Sequence, residues 1–296
     1  MKKYLSLFSA LILAFVAFAA NAQSTYTNTM FAYPAAPDTC TTLESRCNFS
    51  TQHFWDNFDF HKQLVDSQDS ALVTTMYDYI SIMRGANLNI ALSSIRLLMN
   101  KAQANQTNFM KLISAAEYLL YLNNSIEVID DVYLTFLQSA VDASWMKKDG
   151  KTYFSEEMEK IKSTKLGAPI YNFQVTDANG NKKKFNEVPI DTAQIVFVFF
   201  TADGTGSSIT RTRLSADLGV SELLKIGYAK VINVYVGDNP SAFFAEANLY
   251  PDWILLSTQE GAKLDIRMLP DFIILDNNRV VQNKNITMDQ IKQAFN

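Results

Sequence analysis

Ile195-Val196-Phe197-Val198-Phe199-Phe200 runs directly into Thr201-Ala202-Asp203-Gly204-Thr205-Gly206-Ser207-Ser208. Six successive apolar residues, β-branched or aromatic, read as a strand buried on both faces of a sheet. The polar, glycine-containing corner after it leads into a helix-competent stretch, Ser208 to Lys225. Further on, Val231 to Val236 reads as a second buried strand and Ser241 to Leu249 as another helix. Phe272 to Leu275 forms a third strand that turns at Asn277-Asn278 into Val280-Val281, and Ile291 to Phe295 belongs to a closing helix. Upstream, Phe173-Gln174-Val175 and Lys184-Phe185 flank Asp177-Ala178-Asn179-Gly180, a hairpin with Asn-Gly at its apex. This order predicts a mixed α/β sheet with flanking helices and right-handed crossovers.

Before Lys165-Leu166-Gly167-Ala168-Pro169 the periodicity is helical. Phe109, Leu112, Ile113, Ala116, Leu119 and Leu120 recur at three- and four-residue spacing, as do Ile129, Val132, Tyr133, Phe136, Leu137 and Ala140. Ala91, Ile95, Leu98 and Ala102 form a third stripe, and Thr75 to Ile82 and Ser155 to Ile161 read as further helices. Short breaks at Gly85-Ala86-Asn87, Ala104 to Thr107 and Asn123-Asn124-Ser125 suit antiparallel packing, so residues 41–162 are expected to form a small helical bundle.

The N-terminus carries an address. Lys2 and Lys3 precede an apolar run from Leu5 to Ala20, closed by Ala20-Asn21-Ala22, the small-x-small pattern of a signal-peptidase site. Residues 1–22 are therefore expected to be a cleaved signal peptide, with the mature chain starting at Gln23 in the periplasm or outside the cell. The run is shorter than the roughly 20 residues that span a bilayer, and no later stretch is apolar enough to replace it. A formal charge of −4, with no basic run longer than Lys182-Lys183-Lys184, speaks against nucleic acid as a partner.

Cys40 and Cys47 are the two cysteines, and an even pair in an exported chain favours a structural disulfide. Seven helical steps of about 1.5 Å would separate their Cα atoms by roughly 10 Å, too far for a bond. Thr41 with Glu44 reads as a capping box, which sets Cys40 ahead of a helix and Cys47 inside it. The aromatic phrase Phe54-Trp55-Asp56-Asn57-Phe58-Asp59-Phe60-His61 reads as a bundle plug, with Asp56 and Asp59 capping backbone amides. His53 and His61 stand eight apart without a partner motif, so no zinc site or other metal site is expected.

The C-terminal order resembles the thioredoxin fold in its peroxiredoxin-like and thiol-disulfide reductase variant. Gly167-Ala168-Pro169-Ile170-Tyr171-Asn172-Phe173 followed by Asp177-Ala178-Asn179-Gly180 resembles the family's entry phrase. Ile266-Arg267-Met268-Leu269-Pro270-Asp271-Phe272-Ile273-Ile274-Leu275-Asp276 resembles its second signature. The resemblance covers residues 165–296 and implies a cis bond before Pro270, facing the active-site loop. Helices introduced by the Phe-Trp-Asp-Asn-Phe-Asp-Phe phrase are similar to those of an exported bacterial family whose helical part is a domain of unknown function.

Where that fold carries Cys-x-x-Cys, with the leading thiolate favoured by a helix N-terminus, this chain has Gly204-Thr205-Gly206-Ser207 after Asp203. Ser207 cannot exchange with a disulfide and Gly204 has no side chain, so no catalytic residues and no cofactor carry over. Asp203-Gly204-Thr205-Gly206-Ser207 does not match the uninterrupted Asp-Thr-Gly-Ser of aspartic proteases. A turn of this kind can hold an anion on its amides, but a plain capping turn is the default reading. The expected function is that of a redox-inactive, binding or structural protein with a groove for a protein or peptide beside Pro270. The alternative is an oxidoreductase using Cys40 and Cys47 as a displaced dithiol.

Overall fold

The computed structural model describes residues 30–122 and 130–295, and the chain divides into two compact units, with the boundary at Glu159/Lys160. Residues 1–22, expected to be a signal peptide, and Ile129 and the break at Asn123-Asn124-Ser125 lie outside the described residues.

The first unit is helical. It contains α1 (Leu43–His53), α2 (Asp69–Met83), α3 (Leu88–Ala102), α4 (Gln106–Glu117) with a π-helical turn at Tyr118–Leu122, α5 (Asp130–Asp142) and most of α6 (Lys148–Ser163). The stripes read from the sequence are the buried faces: Ala91, Ile95, Leu98 and Ala102 on α3, Phe109, Leu112, Ile113 and Ala116 on α4, and Val132, Tyr133, Phe136, Leu137 and Ala140 on α5. The aromatic phrase does plug this unit. Phe54 and Trp55 are buried, and their rings meet Phe31 and Tyr79 edge-on or tilted. Asp59 Oδ1 accepts the backbone N–H groups of His61 and Lys62, whereas Asp56 pairs with His53 Nδ1 at 2.7 Å instead of capping an amide.

One local expectation is corrected. The capping box is displaced by one residue: Thr42 is the N-cap, its Oγ1 accepting from Ser45 N while Ser45 Oγ accepts from Thr42 N. Ser45 satisfies the N-cap amide more economically than the longer Glu44 side chain. Cys40 and Cys47 are both free, half-buried thiols in this structure. The Cys47 sulfur packs on Gly85 at the end of α2, so closely that a Cβ built there would lie 2.6 Å from it.

The second unit is built on a seven-stranded sheet of order β2-β1-β5-β4-β3-β6-β7. The strands are β1 (Gln174–Thr176), β2 (Lys182–Lys184), β3 (Ile195–Thr201), β4 (Ala229–Tyr235), β5 (Trp253–Ser257), β6 (Asp271–Asp276) and β7 (Val281–Ile286). β3 is central, parallel to β4 and antiparallel to β6, with Phe199 opposite Asn233 on one side and Phe272 on the other. Its side chains alternate between two cores. Val196, Val198 and Phe200 join Ile232, Val234, Ile273 and Leu275, while Phe197 and Phe199 join Val231, Phe272 and Ile274. Residues from the N-terminal hairpin segment cover the first face, where the Phe173 and Phe185 rings stack at 4.7 Å. Side chains of α7 (Thr205–Ser215), α8 (Leu218–Lys225) and α10 (Met288–Phe295) cover the second.

The expected single helix from Ser208 to Lys225 is two helices, because Asp217 breaks the run and its carboxylate caps α8 by accepting from Val220 N at 3.0 Å. The Ser241 to Leu249 stretch divides similarly into α9 (Ser241–Ala245) and a 3₁₀ turn, Ala247–Leu249. β5 was not anticipated. Its Trp253-Ile254-Leu255-Leu256-Ser257 is an apolar run after Pro251-Asp252, the same signal that identifies β3.

Candidate functional site

The chain leaves β3 at Thr201 and enters α7 at Thr205, so residues 202–204 form the corner at the carboxyl end of a central strand. Gly204 is the α7 N-cap, with φ of 127°, a backbone conformation that side-chain-bearing residues rarely adopt. Ser207, 4% exposed, turns back so that its Oγ accepts from Ala202 N at 3.3 Å. Gly206 faces the start of β6: a Cβ there would meet Pro270 Cδ at 3.7 Å. The Leu269–Pro270 peptide bond is cis.

Asp203 is held from β4. Tyr235 Oη donates to Asp203 Oδ2 at 2.8 Å, and burial, followed by this bond to a carboxylate, raises the pKa of the phenol above its ordinary value. The Tyr235 ring stacks on Phe243, the Arg211 guanidinium lies 5.7 Å from the Phe243 ring centre, and Arg211 Nη2 bonds Glu246 Oε2 at 2.9 Å. This chain ties the corner, β4, α7 and α9 together. Gly237 makes room for it, since a Cβ at that position would lie 2.3 Å from the Tyr235 hydroxyl.

Beside the corner is a cleft of about 460 Å³, lined by Val236–Asp238, by residues 258, 259, 261 and 262, and by Ile266–Leu269. It lies beyond the carboxyl ends of β4 and β5, where open sheets of this kind bind ligands. Thr258 shapes one wall: its Oγ1 donates to Gln174 O at 2.7 Å and accepts from Glu260 N at 3.0 Å. Met268 and Leu269, 58% and 40% exposed, form an apolar rim leading to Pro270.

The tertiary fold thus brings Asp203, Gly204, Thr205, Gly206, Ser207 and Pro270 to one end of the sheet. Cys40 and Cys47 belong to the helical unit. Burial raises the Cys47 thiol pKa, which disfavours the thiolate required of a nucleophile or disulfide-exchanging group. Sequence reading missed Tyr235, Gly237 and the cleft. Tyr235 closes a buried apolar strand, and nothing local distinguishes it from the core residues before it.

A mixed sheet preceded by a hairpin, with a cis-proline beside a strand-to-helix corner, defines a thioredoxin-like domain, here following a helical one. The model of the family described as "Domain of unknown function (DUF5106)" matches residues 18–164. Among solved structures, a thioredoxin-like protein from Bacteroides caccae is similar over 90% of this chain and 98% of its own, with 21% identity and a TM-score of 0.77. The C-terminal domain of an uncharacterized protein from Bacteroides fragilis matches 45% of this chain and 98% of its own, at 20% identity and a TM-score of 0.40. The thioredoxin domain of a thiol-disulfide oxidoreductase from Bacteroides vulgatus matches 44% of this chain and 98% of its own, at 15% identity and a TM-score of 0.36. No curated protein matches the chain. Among the described residues, no helix is long and apolar enough to cross a membrane.

Proposed function

We propose that the chain is an exported binding protein, with a helical domain at 41–162 and a thioredoxin-like domain at 165–296. The second domain retains a peptide-facing edge beside Pro270 and performs no thiol-disulfide chemistry at its corner. The observation that carries this reading is the approach of Gly206 to Pro270, which supports reading Gly204-Thr205-Gly206-Ser207 as the corner opposite the proline. None of these four residues has a sulfur, and a serine hydroxyl does not attack a disulfide. The exposed Met268 and Leu269 and the adjoining cleft supply apolar contact and room for an extended peptide segment. Export is supported by Lys2, Lys3, the apolar run and Ala20-Asn21-Ala22.

An insulin-reduction assay on the chain starting at Gln23 tests the redox half of the proposal. No turnover above the free-thiol background is expected, and Cys40→Ser is expected to leave that result unchanged. Turnover abolished by Cys40→Ser would establish the displaced dithiol instead. For binding, unstructured peptides are titrated while the Met268 methyl resonance is followed. A saturable shift lost in Leu269→Asp supports the peptide edge, and no shift with any peptide overturns it. N-terminal sequencing of the exported product is expected to begin at Gln23.

A further inference from the structure

In the helical unit, residues 30–42 form no regular secondary structure, yet their first members are seated on the aromatic phrase. The Phe31 ring lies 5.4 Å from that of Trp55, 5.6 Å from Phe58 and 6.0 Å from Phe54, and the Tyr33 ring lies 4.4 Å from Phe54. Beneath them Phe54, Trp55 and Tyr79 are at most 4% exposed, whereas Phe31 and Tyr33 stay partly exposed. The segment is a lid on an aromatic floor, not a layer of the core.

Two side chains of the bundle hold this lid by its polar groups. Asn57 Nδ2 donates to Ala32 O at 2.7 Å, and Asp78 Oδ2 on α2 accepts from Tyr33 Oη at 2.9 Å. Among the described residues, no backbone hydrogen bond joins residues 30–36 to the bundle. The nearest one, Cys40 N to Pro37 O at 2.9 Å, lies inside the turn that leads into α1. Two rings, one carbonyl and one hydroxyl therefore fasten the segment, and all four can let go without unravelling a helix. Nor does the segment satisfy everything under it, because Trp55 Nε1 is buried without a hydrogen-bond partner. A buried donor left in that state keeps the full cost of its desolvation.

The seated residues also show what this surface selects. A ring packs among Phe54, Trp55 and Phe58, the carbonyl one residue later meets Asn57, and a hydroxyl-bearing ring one residue further meets Asp78. Pro34 follows and fixes its own backbone near the extended form. We propose that residues 30–37 are a detachable strap, a self-ligand that closes a docking groove in the helical unit, and that the groove's partner is an extended segment of another exported protein with the same chemistry, aromatic-x-Tyr-Pro. A segment that also offers an acceptor to the Trp55 indole gains a bond that the strap leaves unmade, which favours exchange. The groove lies in the helical unit, so it does not rest on the peptide edge beside Pro270.

Two measurements on the mature chain test the strap. In native-state exchange, the Trp55 indole N–H is expected to open locally, with a protection factor at least about a hundredfold below the amides of Ile95 and Leu98 and little dependence on urea below the unfolding transition. Protection and urea dependence equal to those of the α3 amides would mean that strap and bundle open only together, and overturns the proposal. In the second, a synthetic peptide of residues 30–37 is titrated against the chain carrying Phe31→Ala and Tyr33→Ala, with the Trp55 indole resonance as readout. Saturable binding is expected, about tenfold tighter than to the wild-type chain, whose own strap competes. A peptide with phenylalanine in place of its tyrosine should bind about fivefold more weakly. Equal affinity for both chains, no binding to either, or a shift at Met268 with none at Trp55 overturns the groove. Dimerisation of the chain over the same concentrations, seen by sedimentation, assigns the groove to a second copy and overturns the heterologous partner. Should the double variant fail to fold, indole exchange in the wild-type chain decides.

Discussion

The Tyr235 hydroxyl on β4 donates to Asp203 Oδ2, 2.8 Å away and 32 residues earlier in the chain. This bond holds the corner between β3 and α7 from the neighbouring strand. A neutral phenol is a good donor to a carboxylate, and removing the hydroxyl in Tyr235→Phe should cost about 1 kcal/mol. Urea unfolding of the second unit measures it. Amide exchange at residues 202–205 should rise more than exchange in the interior of β3.

Gly237→Ala should be more damaging than the loss of that bond. The new methyl and the Tyr235 hydroxyl cannot occupy their sites together. Displacing a buried side chain costs about 1–3 kcal/mol. In the double variant with Tyr235→Phe most of the Gly237→Ala cost should remain, because the ring carbons Cζ and Cε1, which a Cβ at 237 would meet at 2.5 and 2.8 Å, are still present. Full relief of that cost by Tyr235→Phe would show that the hydroxyl alone makes the clash.

Asn108, wholly buried on α4, fastens the loop that follows the aromatic phrase. Its Oδ1 accepts from Leu64 N at 2.8 Å, and its Nδ2 donates to Lys62 O at 2.9 Å and to Phe60 O at 3.3 Å. Asn108→Ala strands these backbone groups and should destabilise the helical unit by about 3 kcal/mol. The chain's three tryptophans allow separate readouts: Trp55 and Trp145 lie in this unit and Trp253 in the other. The fluorescence transition of the first two should move while that of Trp253 stays in place.

Asp265, wholly buried, accepts from Arg267 Nε at 3.0 Å and from Lys284 Nζ at 2.8 Å. Lys284→Met removes one of these two cations and leaves the carboxylate relying on Arg267. Breaking such a contact typically costs about 3–5 kcal/mol. The loss should appear in the Trp253 transition. A change below about 1 kcal/mol would mean that Arg267 by itself neutralises Asp265.

Stability should also depend on pH through two carboxylates of opposite sign. Burial alone would raise the pKa of Asp265, but Arg267 and Lys284 outweigh it and hold the group below its ordinary value. Its contribution is present above an unfolded-state pKa near 4 and is lost as the pH falls below that range. Asp271 behaves oppositely. Burial raises its pKa to about 7, so its contribution is complete below about pH 4 and is lost as the pH climbs to about 7, on the order of 4 kcal/mol in all. Urea midpoints for the second unit should therefore fall between pH 5 and pH 7.5, roughly, and Asp271→Asn should flatten that slope.

Much of the architecture is local in origin and was legible in the order of residues. The apolar run from Ile195 to Phe200 identifies the central strand, since six successive apolar side chains are stable only when both faces of a sheet are covered. The three- and four-residue stripes identify the α3, α4 and α5 faces for the same reason, as does the Asn-Gly apex for the hairpin. The substituted corner is likewise a property of sequence: no sulfur stands between Asp203 and Ser207.

What the residues alone left open are relationships between distant positions. Thr42 rather than Thr41 caps α1, and Cys47 packs on Gly85, because neighbouring elements compete for each side chain. Tyr235 meeting Asp203, Gly237 yielding space to the phenol, and Lys284 reaching Asp265 all follow from the sheet register and the packing of loops at its edge. Propensity and periodicity act over a few residues, so they specify strands, helices and turns. The partners of a buried charge are chosen by which backbones the sheet brings together, and only the tertiary structure decides that.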